Sequence, residues 1–253
     1  MTELATALGA DGTRARRVLI GYVPANIRSS IAFPAPRLLL AGRATPLGPR
    51  AVQSCPAVNV FENRVIVIAA PFSLRLRCVK SHSGKYNIHV VDSGTRLDRD
   101  VIERHLTVMP REFWRIDSAP VIQIALPHFF VSDEVCYLSQ LPAYASDDAV
   151  TIPGRLISGR FPLHIWPRSL NLAFEWTDLE ADFVMKRGEA ACYLTFETER
   201  PHVPIELVAA EATPELLKYR SAIEDVVKYT SGSFSLFVEA EKIRPKYLLK
   251  PAK

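Results

Sequence analysis

Acidic side chains are nearly missing from the first ninety residues, which hold twelve Lys/Arg but only Glu3, Asp11 and Glu62, a net charge of +9. The remaining 163 residues carry nineteen bases against twenty-four acids, a net of −5, so the overall +4 conceals a polarised chain. Ten of the twelve early bases are arginine, with Arg14, Arg16 and Arg17 grouped before the first apolar run. Guanidinium forks suit phosphate and carboxylate, and one reading is an anionic small molecule or an acidic protein partner. The other is that the basic segment packs against the acidic remainder of its own chain or of a second copy, which leaves a homo-oligomer open. The arginines are scattered and lack the interleaved aromatics on which bases stack, so nucleic acid is not an expected partner.

Long apolar runs are also missing. None approaches the roughly 18–20 residues a membrane-spanning helix requires, and the longest, at 65–72 and 121–131, are of strand length. No membrane association is expected. Residues 1–17 lack the apolar segment of a secretory signal, which makes the cytoplasm the expected location. Residues 1–16 are read as a mobile tail and 17–253 as a single β-rich domain. Cysteine is sparse, at 55, 78, 136 and 192 only, with no Cys-x-x-Cys pair and so no zinc knuckle. A chain with 48% hydrophobic residues can build its own core without disulfides. Reduced, mostly buried thiols are expected, with Cys55 the least buried.

Catalytic signatures are absent in their turn. There is no Gly-x-Ser-x-Gly elbow, no Gly-x-x-x-x-Gly-Lys-Ser/Thr and no Gly-x-Gly-x-x-Gly, and the strand-rich pattern lacks the alternation of strand and helix that nucleotide loops require. None of the six histidines falls in a His-x-His, His-x-Asp, His-x-Glu or His-Glu-x-x-His motif. No cofactor or metal is therefore assigned. The acids Glu175, Asp178, Glu180 and Asp182 beside Trp176 offer a carboxylate pair, but the segment also reads as an exposed hairpin connection.

What is present is alternation. Leu74, Leu76 and Cys78 alternate with Arg75 and Arg77, and Leu170, Leu172, Phe174 and Trp176 share one parity, the period of half-buried strands. Further strands are predicted at 17–24, 86–91, 121–130, 135–141, 151–158 and 202–208, and an edge strand at 37–41 among prolines 34, 36, 46, 49 and 56. Two hairpins are predicted, 58–61 with 64–69 across Glu62-Asn63, and 181–185 with 190–196 across the turn 186–189. Two helices are expected. Asp98 would cap one at 98–109, and Thr213-Pro214-Glu215 opens another at 213–230 with an apolar stripe of Leu216, Tyr219, Ile223, Val226 and Val227. The fold class predicted is mainly β, a β-sandwich or jelly-roll-like barrel, with the second helix near the C-terminus.

The candidate ligand site is Arg75 and Arg77 on one strand face together with Phe161-Pro-Leu-His-Ile-Trp-Pro-Arg168, where His164, Trp166 and Arg168 share parity between two prolines. That row offers a stacking ring, a titratable imidazole and an anion fork. The alternative reading is a tryptophan filling the edge of the core while Arg168 points to solvent. The function expected is a non-catalytic accessory or binding protein for an anionic small molecule or protein partner. The rival is a metal-dependent cupin-like oxygenase or isomerase with ligands among His82, His89, His128 and His164.

Four stretches, Ser54-Cys-Pro-Ala-Val58, Arg64-Val-Ile-Val-Ile-Ala-Ala-Pro-Phe72, Trp166-Pro-Arg168 and Lys186-Arg-Gly-Glu-Ala-Ala-Cys-Tyr-Leu-Thr-Phe196, carry a resemblance. They resemble a family of uncharacterised bacterial and phage-encoded proteins in which a Cys-Pro motif precedes a hairpin ending in Pro-Phe. Ala190 stands where that pattern has proline. The resemblance implies a mainly β fold and assigns no catalytic residue.

Overall fold

Alternating apolar residues become the walls of a core shared by three sheets. The computed structural model describes residues 17–24, 34–41, 52–92, 105–230 and 232–252. Its strands are β1 (Val18–Pro24), β2 (Arg37–Leu38), β3 (Val65–Ala69), β4 (Leu74–Lys80), β5 (Tyr86–Asp92), β6 (Leu106–Val108) and β7 (Val121–Val131). They continue with β8 (Cys136–Leu141), β9 (Gly154–Leu156), β10 (Arg160–Pro162), β11 (Ser169–Trp176), β12 (Phe183–Met185), β13 (Ala190–Thr198) and β14 (Ile205–Ala209). Three α-helices are described, α1 (Pro56–Glu62), α2 (Pro214–Tyr229) and α3 (Ser233–Lys242). None is long and apolar enough to cross a membrane.

The first sheet runs β14-β1-β7-β11-β9, with β6 beside β1 along the same edge of the long strand β7. The second runs β10-β8-β13-β3-β2, and a third, smaller sheet is β12-β4-β5. Each strand gives alternate residues to the space between the sheets, as a period of two demands. Ile20, Ile122, Phe174 and Trp176 from the first sheet, Ile66, Leu138 and Leu194 from the second and Leu76 and Phe183 from the third share that core. The chain is mainly β, as the alternation predicts, and Leu74, Leu76 and Cys78 are buried while Arg75 and Arg77 are exposed. β2 lies at a sheet edge, where the nearby prolines are tolerated.

Helix α2 begins where the sequence places it. Thr213 caps it, its side-chain oxygen accepting from the Leu216 amide at 3.2 Å, and Leu216, Tyr219, Ile223 and Val226 are buried. Val227, at the margin of the stripe, is 54% exposed. The buried residues cover Val23, Phe129 and Val131, on the face of the first sheet opposite the main core. The Tyr219 hydroxyl donates toward the carbonyls of Ile165, at 2.6 Å, and Ala240, at 3.1 Å, fastening the two C-terminal helices to the 162–166 turn.

Several expectations are corrected. Residues 56–62 form α1, not the first arm of a hairpin: Pro56 presets the first helical turn, and Asn63 closes the helix through bonds to Asn59. The helix expected at 98–109 has its first seven positions outside the described residues, and 106–108 are strand β6, paired with Ile122 to Ile124 of β7. Turn 186–189 exists, with Gly188 at φ 91°, but β12 pairs with β4 while β13 pairs with β3 and β8. The expected hairpin is therefore a crossing between sheets. Beyond the two helices expected, a further one, α3, follows α2 after Gly232.

Candidate functional site

The predicted site residues fall into two groups with separate partners. Arg75 Nε donates to Asp182 at 2.7 Å, and Arg77 donates from Nε at 2.8 Å and from a terminal nitrogen at 2.9 Å to the same carboxylate. The bond from Arg77 leads the effects that hold the Asp182 carboxyl down to about 2. The anion facing this arginine pair is thus the chain's own, and the Thr177–Asp182 acids are not all solvated: the Asp182 side chain is 8% exposed. Glu175 is buried as well, ion-paired with Arg115 at 2.9 Å.

The second group lies beside the C-terminal helices. Trp166 is 5% exposed and meets Phe237 edge to face at 5.7 Å, so it fills a core edge, whereas Arg168 is exposed and reaches the Ser169 carbonyl. His164 is buried, with Nδ1 3.0 Å from the Cys136 carbonyl oxygen and 3.2 Å from its amide nitrogen. The fold therefore assembles a histidine and a cysteine, but through the main chain. Burial pushes the Cys136 thiol up to about 12 and lowers His164, the reverse of what a thiolate-imidazolium pair requires. Neither is poised as a nucleophile or its base.

The histidine set of the rival reading does not gather. His82 and His89 are exposed on the β4–β5 hairpin, His128 is buried against Tyr22 at 5.8 Å, and His164 is held as above. Among the described residues no three His, Cys, Asp or Glu side chains stand close enough to share an ion.

A cleft of about 370 Å³ opens elsewhere, between the tip of the β4–β5 hairpin and residues 108–114. Its size falls within the range of small-ligand pockets. The hairpin tip is a local construction. The Ser81 hydroxyl accepts from the Lys85 amide at 3.1 Å and sits 2.8 Å from the Ser83 hydroxyl, while Gly84 takes φ 79°, a conformation that disfavours side chains. On the other wall a 3₁₀ turn at Arg111–Phe113 follows Pro110, and the Trp114 indole N–H donates to the Met109 carbonyl at 2.8 Å.

Between these walls Tyr86 and Trp114 meet edge to face, centroids 5.5 Å apart at 69°. Lys80 lies 5.5 Å from the Tyr86 ring centre. Lys85 and Arg111 line the cleft, and among the described residues no carboxylate does. Arg111 pairs with Asp117 at 3.5 Å, but both are largely exposed, so the pair is weak. The arrangement offers an apolar face for a flat group and cations for its charge. Tyr86 and Trp114 are not among the site residues predicted from the sequence. The available signal was Trp114 itself, an aromatic outside any alternating run and flanked by Arg111 and Arg115.

Fold and cleft together define a β-sandwich with an aromatic, cation-rimmed surface site. No family model, no curated protein and no solved structure matches the chain.

Proposed function

We propose that the chain is a binding protein whose cleft takes an anionic ligand bearing a flat apolar group. The observation that carries this reading is the Tyr86/Trp114 pair with Lys85 and Arg111 beside it and, among the described residues, no acid in the lining. Lys80 and Lys85 both belong to the basic first third of the sequence, which gives part of that charge excess a local use. The described lining supplies cations and aromatic faces, the groups of a recognition site.

Tryptophan fluorescence tests it, because Trp166 and Trp176 are buried and Trp114 is the half-exposed member of the three. Titration with 3-phenylpropionate is expected to change the emission saturably and more weakly at high salt, and Trp114→Phe should remove the response. The double variant Lys85→Glu with Arg111→Glu should abolish binding. Equal binding of 2-phenylethylamine, the cationic counterpart, or no saturable response to the carboxylate, would overturn the reading.

A further inference from the structure

We propose that the outer edge of β5 receives an extended acidic peptide as an added strand, with an aromatic anchor of that peptide in the Tyr86/Trp114 cleft. The proposal rests on the cleft being a ligand site and specifies what the ligand belongs to.

β5 is the last strand of the three-stranded sheet, and among the described residues no strand pairs with its other edge. The Ser81 amide donates to the Lys85 carbonyl at 2.8 Å, which sets the phase of the ladder between β4 and β5. Hydrogen-bonded pairs alternate from there, so Asn87 opposite Val79 and His89 opposite Arg77 turn their main-chain groups toward β4. Tyr86, Ile88 and Val90 turn theirs toward the open edge.

Natural edges are blunted by lysine, proline or bulges. The stretch 86–90 has neither lysine nor proline, and the one register shift lies beyond it, between the pairs Leu76/Val90 and Arg75/Asp92. The side chains of Tyr86, Ile88 and Val90 pack on the main core yet stay half-buried, while Asn87 and His89 are exposed. An added strand would bury those three side chains further. Five residues of strand span about 14 Å, and the cleft begins at Tyr86, the first residue of that edge.

A row of alternating amide and carbonyl groups is matched by another peptide backbone, the mode of strand addition. Charge selects the kind of peptide. Lys80, Lys85 and Arg111 cluster at the Tyr86 end. Asp182 is already engaged by Arg75 and Arg77. The surroundings favour glutamate or aspartate on the added strand.

The probe is an acetylated, amidated heptapeptide of phenylalanine followed by three glutamate-valine repeats, with two N-methylated versions blocking the odd or the even amides. Saturable binding is expected, weakened about tenfold or more in one methylated series and little changed in the other, since only one edge of the peptide meets β5. Ile88→Pro removes an edge donor without removing a bond to β4 and should weaken binding about tenfold. Hydrogen exchange at the Ile88 and Val90 amides should be fast in the free protein and slow in the complex. Protection of those amides in the free protein, equal binding of both methylated series, or equal binding of a lysine-valine analogue would overturn the proposal. Binding of 3-phenylpropionate without the peptide overturns the strand addition alone, and binding of neither overturns the cleft reading with it. If Ile88→Pro does not fold, the methylated pair decides the matter.

Discussion

Asp182 accepts Arg77 through two guanidinium nitrogens, at 2.8 and 2.9 Å, across 105 positions of sequence. The contact joins the start of β12 to β4 and helps place β12 in the small sheet instead of beside β13. Its carboxyl is held at about 2, below the ordinary aspartate range. A depressed carboxyl contributes stability that is complete above its unfolded value and is lost as pH falls through the folded one. Asp182→Asn is therefore expected to lower Tm at neutral pH, with the gap from wild type closing between about pH 4 and pH 2. Thermal melts across that range check it, and a gap independent of pH would count against the assignment.

His128 gives a second, separate window. It is 4% exposed, its Nδ1 has no hydrogen-bond partner among the described residues, and burial lowers it from 6.5 to about 4. The folded state resists a proton that the unfolded chain takes up, so stability declines as pH falls from about 6.5 to about 4 and this contribution is flat below. The full effect is roughly 2–4 kcal/mol. Urea denaturation of His128→Leu should show a flatter profile in that interval than wild type, and NMR titration of the imidazole should give a midpoint near 4.

Arg64, 8% exposed, donates to the Phe196 carbonyl and the Thr198 hydroxyl at 3.2 Å each, and to the carbonyls of Arg200 at 2.6 Å and Val203 at 2.5 Å. One planar fork thus holds the chain that leads from β13 to β14. A lysine ammonium keeps the charge but cannot spread over four acceptors. Arg64→Lys is expected to cost roughly 2–4 kcal/mol in urea denaturation, through buried acceptors left unpaired. A loss no larger than that of an exposed Arg→Lys change, such as Arg168→Lys, would argue that the fork is dispensable.

Gly154 faces Trp176 across the β9–β11 pairing, and a Cβ there would stand 1.9 Å from the Glu175 carbonyl oxygen. The obstacle is backbone, so no side-chain rotation relieves it. Gly154→Ala should destabilise by roughly 1–3 kcal/mol and speed amide exchange at Trp176 and its neighbours. Gly84→Ala meets nothing within 4 Å and is penalised only by its positive φ, so it should cost less.

Much of the secondary structure was legible because its signals are local. Alternation marked the faces of β4 and β11, and Thr213-Pro214 marked the start of α2 with its cap. The same local signals misled at 58–61, where β-branched residues lie on α1, and at 106–108, the end of the segment expected as helix, which is strand β6. Of the predicted site, parity correctly turned Arg75 and Arg77 away from the core, but nothing nearby in sequence announced Asp182.

The sequence by itself determined that this is a mainly β chain, which residues of each strong strand face the core, and that its first third is basic. Those properties repeat every two residues or follow from composition, so no distant contact is needed to express them. Tertiary structure alone decided which sheet each strand joins, that β12 leaves β13 for β4, and that Tyr86 meets Trp114 twenty-eight positions away to make a cleft. Turn residues report that the chain reverses, not where it goes next. Packing across the core makes that choice, by the side chains and charges each strand finds opposite it.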